Sequence, residues 1–246
     1  MRTYVVLILL VASVACRSAR SAPPAVAAPP PPGARASAIL PDSIRWVQEA
    51  AEYQASLLQV YRLAAARVES EARSRAAGTW AVVLDADETV ISNLEYQVER
   101  ARQGLPYSSE SWRAWVARRE ATPLAGAGGF LSRVRSLGGR IAIVTNRLQS
   151  ECPDTEAVFQ AHGLAYDVIL CRADAGPSDK NPRFEAVAAG RTALGASPLD
   201  IVAFVGDNIQ DFPGLRQTIK RQGDPAFAEF GVRYFVVPNP MYGSWQ

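Results

Sequence analysis

Histidine is almost absent from this sequence: among 246 residues there is one, His162, and there are only three Cys. A zinc centre made from the usual Cys and His ligands needs more of both, suitably spaced, so any catalytic metal is expected to be a hard cation held by oxygen. His162 lies in FQAHG, where a helical run ends before a glycine; a cation suits that end of a helix, and a structural role is expected. Lysine is nearly as scarce, with Lys180 and Lys220 set against 24 Arg. An ammonium is a compact point charge whereas a guanidinium is a planar fork, so a Lys in an Arg-using chain is a position to follow. Blocks of like charge are missing too. The 26 basic and 24 acidic residues leave a formal net charge of +2, with Arg scattered throughout, which argues against a nucleic-acid partner.

The apolar run in residues 1–16, MRTYVVLILLVASVAC, is too short to span a bilayer comfortably and reads as an export signal. Ser-Val-Ala-Cys resembles a bacterial lipobox, with Ser13 where Leu is usual. The resemblance implies a signal peptide over 1–15 and a lipid on Cys16, hence an exported protein anchored to the bacterial outer membrane, or a periplasmic or secreted one if Cys16 is not modified. Residues 16–40 are Ala- and Pro-rich and carry neither helical nor strand periodicity, which predicts a semi-rigid tether. One folded domain is expected over 41–246.

That domain opens with Pro41-Asp42-Ser43, a helix start, followed by a helical stripe from Ile44 to Ala65 that makes one or two helices. From Trp80 the texture changes to short apolar runs separated by helical stretches: WAVVLD, GRIAIVTN, YDVILC, DIVAFVGD and VRYFVVPN. Five such runs alternating with helices predict an α/β protein with a doubly wound parallel sheet. Ligands of such sheets bind beyond the carboxyl ends of the strands, and three runs end in Asp85, Thr145 and Asp207. Residues 94–123 interrupt the rhythm with a Trp-bearing helical insertion, SESWRAWVARRE, placed as a small cap over the strand ends.

A buried strand tolerates acidic residues only at its end, where water or a cation compensates them. Asp85 and Asp87 stand at the end of the first run, and Asp207 and Asp211 follow the fourth. Like charges gathered at one sheet edge raise each other's pKa and repel unless a divalent cation neutralises them, and oxygen-only ligation suits magnesium. Thr145 and Asn146 offer a hydroxyl and backbone N–H groups to phosphoryl oxygens. Lys180, just before a helix with Pro in its first turn, can carry an ammonium to the same edge. Cys152 and Cys171 follow neighbouring runs, and an exported protein permits a disulfide between them, although spacing alone does not establish one.

Taken together, VVLDADETVISNLEY, VTNR, VAFVGDNIQDF and VVPNPMYGSWQ resemble the haloacid dehalogenase-like superfamily, and more closely its class C acid phosphatases, which are bacterial surface lipoproteins. Ala86 stands where Leu or Ile is usual, and Ile209 where Leu is usual; neither is a reacting group. The resemblance implies a Rossmann-like core and a magnesium-dependent phosphomonoesterase acting on nucleoside 5′-monophosphates or aryl phosphates. By the same resemblance Asp85 is the nucleophile and Asp87 the general acid and base. It implies that Thr145 and Lys180 bind phosphate, and Asn146 is expected to bind it beside them. It further implies that magnesium is held by the Asp85 carboxylate, the Asp87 carbonyl and Asp207, with Asp211 acting from behind these ligands. Trp112 and Tyr242 correspond by position to an aromatic pair that stacks on the base. Two other readings share the fold, a phosphotransferase and a surface lipoprotein without turnover. A homodimer is left open.

Overall fold

The computed structural model describes residues 39–195 and 197–246, within one compact unit that spans Ser37–Gln246. The signal peptide and lipid site expected at residues 1–16, and nearly all of the tether expected over 16–40, lie outside the described residues. Among those residues no helix is long and apolar enough to cross a membrane.

The opening stripe forms two helices, α1 (Asp42–Glu49) and α2 (Ala51–Ala72), broken where Ala50 adopts an extended conformation. Then come β1 (Trp80–Leu84), the short β2 (Ile91–Ser92), α3 (Leu94–Gln103), α4 (Ser109–Arg118) and the short β3 (Thr122–Pro123). The remaining elements are α5 (Ala127–Ser136), β4 (Arg140–Leu148), α6 (Cys152–Ala161), β5 (Val168–Arg172), α7 (Asn181–Ala188), β6 (Asp200–Gly206) and β7 (Tyr234–Val236). Five strands form a parallel sheet in the order β5-β4-β1-β6-β7, the α/β architecture that the five apolar runs predict. The last run yields only three residues of strand, at the sheet edge.

Alternation along the central strands divides the core between two faces. Val82, Leu84, Ile141 and Ile143 pack with α2, α5 and α6, while Ala81, Val83, Ala142 and Val144 pack with Phe184 and Val187 of α7. Strand β6 departs from strict alternation. A register shift opposite Ala81 and Val82 puts Val202 and Ala203 in the first core together, with Ile201 and Phe204 in the second.

The insertion is α3 and α4, held at its base by the antiparallel pair β2 and β3. Gly104, in the left-handed region at φ 65°, ends α3, and Ser108 caps α4 by accepting a hydrogen bond from the Ser111 N–H at 3.1 Å. Cys152 at the start of α6 and Cys171 in β5 are joined by a disulfide, which the spacing permitted without establishing. His162 caps the end of α6, the structural position expected for it.

Candidate active site

Charge begins where β1 stops. Asp85 follows Leu84, and its N–H still donates to the Val205 carbonyl of β6 at 3.0 Å, so its backbone is held by the sheet. Lys180, immediately before α7, reaches in from the far side and donates to Asp85 Oδ1 and to Asp211 Oδ1, each at 2.6 Å. The side chain of this scarce lysine is only 4% exposed. Asp211 lies in a short 3-10 turn, where its Oδ2 accepts from the Asn208 N–H at 2.9 Å. Gly206 makes that turn fit, because a Cβ there would stand 2.3 Å from Asp211 Cβ. Asp207 receives a 2.8 Å hydrogen bond on Oδ2 from Asn239 in the C-terminal segment.

Carboxylate oxygens of Asp85, Asp207 and Asp211 all lie within 4.8 Å of one another. Burial pushes Asp85 up to about 7, against the pull of Lys180 and with help from Asp211 and Asp87. Burial, then Asp211 and Asp85, hold Asp207 well above the ordinary carboxylate range. Three clustered carboxylates facing one ammonium make a recess whose uncompensated charge and all-oxygen donors fit a hard divalent cation. Asp211 already has both oxygens engaged by protein donors, so it is better suited to aligning Lys180 and the turn after Asp207 than to ligation.

Strand β4 continues to the same edge. Along it Thr145 is buried, Asn146 exposed and Arg147 buried again. Thr145 Oγ1 accepts from the Arg147 N–H at 3.2 Å, and Arg183 donates to the Thr145 carbonyl and, at 2.6 Å, to Asn146 Oδ1. Asn146 shares with Asp85, Asp87, Lys180 and Asp207 the wall of a recess of about 180 Å³. Thr145 is fully buried and is not part of that wall.

Arg147 makes three contacts to Asp87: Nη2 donates to Oδ1 at 2.7 Å, and Nε reaches Oδ1 at 3.0 Å and Oδ2 at 3.2 Å. Its side chain is 1% exposed, so this is a buried ion pair and not a surface one. Glu88, the next residue, is fully buried with φ 50°. Its Oε1 accepts from the Asn93 N–H at 2.8 Å and from the Tyr242 hydroxyl at 3.2 Å. Burial, opposed by the Asn93 hydrogen bond, pushes Glu88 up to about 7.

Beside the recess, and sharing Asp87, Tyr242 and Gly243 with it, opens a cleft of about 540 Å³ lined also by Trp112 and Tyr107. Trp112 and Tyr242, singled out from the insertion and the C-terminal segment, therefore line one cleft beside the carboxylates. Tyr96 meets Trp112 edge-on at 5.3 Å between ring centroids, and the Arg147 guanidinium lies 5.4 Å from the Trp112 ring centre. Of the other aromatic residues near the motifs, Tyr96 and Trp115 are core, while Tyr107 and Trp245 are exposed.

Four residues of this site escaped the sequence reading: Glu88, Asn93, Arg147 and Arg183. A signal existed for Arg147, since two residues beyond Thr145 on a strand is the same face. Asn93 is masked by its position just before a helix, where Asn is ordinary capping chemistry.

A family model described as HAD superfamily, subfamily IIIB (acid phosphatase), matches residues 6–245, and the chain belongs to that family. It is a phosphomonoester hydrolase with a HAD-like fold. The class C acid phosphatase from Bacillus anthracis is similar in structure, with a TM-score of 0.73 and 29% sequence identity over 83% of this chain and 85% of that one. The Bacillus anthracis enzyme with tungstate bound is similar to the same extent, with a TM-score of 0.73 and 29% identity.

Proposed function

We propose that this acid phosphatase is magnesium-dependent and cleaves nucleoside 5′-monophosphates or aryl phosphates through a phosphoryl-aspartate on Asp85. The observation that carries the reading is the meeting of Asp85, Asp87, Lys180 and Asp207 in one recess beside an aromatic cleft. An Asp85 oxygen attacks phosphorus and forms an O–P bond as the bond to the leaving oxygen breaks. Asp87 gives its proton to that oxygen, and the alcohol departs. Asp87 then takes a proton from water as the water oxygen attacks phosphorus, the Asp85 O–P bond breaks, and inorganic phosphate leaves with Asp85 regenerated.

Lys180 supplies a fixed positive charge to the phosphoryl oxygens, and Asn146 and the backbone after Thr145 offer donors on the opposite side. Asp211 keeps Lys180 aligned with Asp85. A magnesium ion held by the Asp85 and Asp207 carboxylates and the Asp87 carbonyl would neutralise charge on the transferring group and on the carboxylates around it. Trp112 and Tyr242 offer aromatic surface to a nucleobase or aryl group. Tungstate, which the Bacillus anthracis relative binds, is an oxyanion like phosphate and supports a phosphoryl site. The N-terminal motif supports export and lipid attachment at Cys16.

The test is phosphate release from a panel of nucleotides, aryl phosphates and sugar phosphates after chelation and after magnesium is restored. Loss on chelation, recovery with magnesium and preference for substrates with a flat ring are expected. Full activity after exhaustive chelation contradicts the metal assignment. Phosphate release that falls when a nucleoside acceptor is added, with a matching yield of new nucleotide, makes the protein a phosphotransferase instead.

A further inference from the structure

Asn93 stands at the N-cap of α3 and does not cap it. An Asn there ordinarily accepts a hydrogen bond from the first turn. In this protein Ser92 Oγ accepts from the Leu94 N–H at 3.2 Å, and the Asn93 carboxamide turns into the site. It is fully buried, and all four of its hydrogen-bonding valences are used. Nδ2 donates to Asp87 Oδ1 at 2.8 Å and to Glu88 Oε1 at 3.2 Å, while Oδ1 accepts from Trp115 Nε1 at 2.8 Å and from Arg147 Nη2 at 3.1 Å. These partners belong to the loop after β1, to the insertion and to β4. The consequence for Asp87 is asymmetry. Its Oδ1 is held by Asn93 and by two nitrogens of Arg147, whereas Oδ2 meets only Arg147 Nε, at 3.2 Å.

We propose that Asn93 is a positioning residue for Asp87, clamping Oδ1 so that Oδ2 faces the leaving-group oxygen, and that it ties this orientation to the insertion through Trp115. The proposal rests on Asp87 being the proton donor. A misplaced donor slows substrates whose leaving group needs a proton and spares those whose leaving group departs as a stable anion.

The experiment compares kcat/KM for an alkyl phosphate and for 4-nitrophenyl phosphate in Asn93→Ala, Trp115→Phe and Asp87→Asn, with folding checked by circular dichroism. Asn93→Ala is expected to lose about 100-fold on the alkyl phosphate and only a few-fold on the nitrophenyl ester, within the range of general acid catalysis. Trp115→Phe keeps an aromatic ring but removes the donor to Asn93, and is expected to show the same selectivity at about tenfold; it decides the question if Asn93→Ala does not fold. Equal losses on both substrates in folded variants, with Asp87→Asn still selective, overturn the role of Asn93 alone. Absence of selectivity in Asp87→Asn overturns the donor role of Asp87, and the proposal with it.

Discussion

Lys180 donates a 2.6 Å hydrogen bond to Asp85 from 95 residues further along the chain, with both groups almost wholly enclosed. Burial opposes the lysine's charge, but Asp211 and Asp85 outweigh it and hold Lys180 above its ordinary value. A cation raised in this way contributes its stability everywhere below the ordinary lysine value of 10.5 and loses it only in strong alkali. Lys180→Met should therefore cost about 3–5 kcal/mol at neutral pH, the scale for leaving buried charges without their partner. Denaturant unfolding without added metal measures this, and a loss under about 1 kcal/mol contradicts the assigned role.

Acid should stabilise the metal-free protein across a defined window. Burial carries Asp85 from 3.8 to about 7 and Glu88 from 4.5 to about 7. Between those limits the folded state binds protons that the unfolded chain does not, so stability rises as pH falls from about 7 toward about 4. Glu99, held low by its hydrogen bonds from Arg118, acts in the opposite sense only at more acid pH. The melting temperature of chelated protein should accordingly rise over this window, and added magnesium should raise it more on the alkaline side, where protons no longer compete. A melting temperature that drops as the pH is lowered across the window contradicts these assignments.

The carboxylates and the lysine that meet in the recess were legible because strand chemistry exposes them. An apolar run that stops at Asp85 or Asp207 names its own functional end, and Lys180 stood out through the rarity of lysine. The insertion was legible as well: residues 94–123 cover α3, α4 and β3, with β2 closing the base just outside. Arg147 was hidden among 24 arginines, and the contact that gives it meaning spans 60 residues to Asp87. Asn93 and Glu88 gave no signal, since no local pattern records a bond to Trp115 or Tyr242. The disulfide depended on whether the residue that opens α6 meets β5, which only the packing of α6 against β5 decides.

Substrate choice should reside in the aromatic cleft. Truncating Trp112 or Tyr242 to Ala should weaken a nucleoside monophosphate by about 1–3 kcal/mol, the scale of base stacking on an aromatic side chain, and leave a small alkyl phosphate nearly unaffected. Tyr242 also donates to Glu88, so Tyr242→Phe serves as a control that keeps the ring and removes only the hydroxyl. The ratio of the two kcat/KM values is the quantity to compare, because a general loss of packing lowers both together. Equal losses on both substrates contradict a stacking role.

Uptake of the phosphoryl group by Asp85, as proposed, is tested by acid quenching of a single turnover with phosphorus-labelled substrate, followed by peptide mapping. The label is expected on the peptide containing Asp85 and absent from Asp85→Asn, which should fold normally and be inactive because an amide does not attack phosphorus. Label on another residue, or substantial turnover by folded Asp85→Asn, would contradict the account.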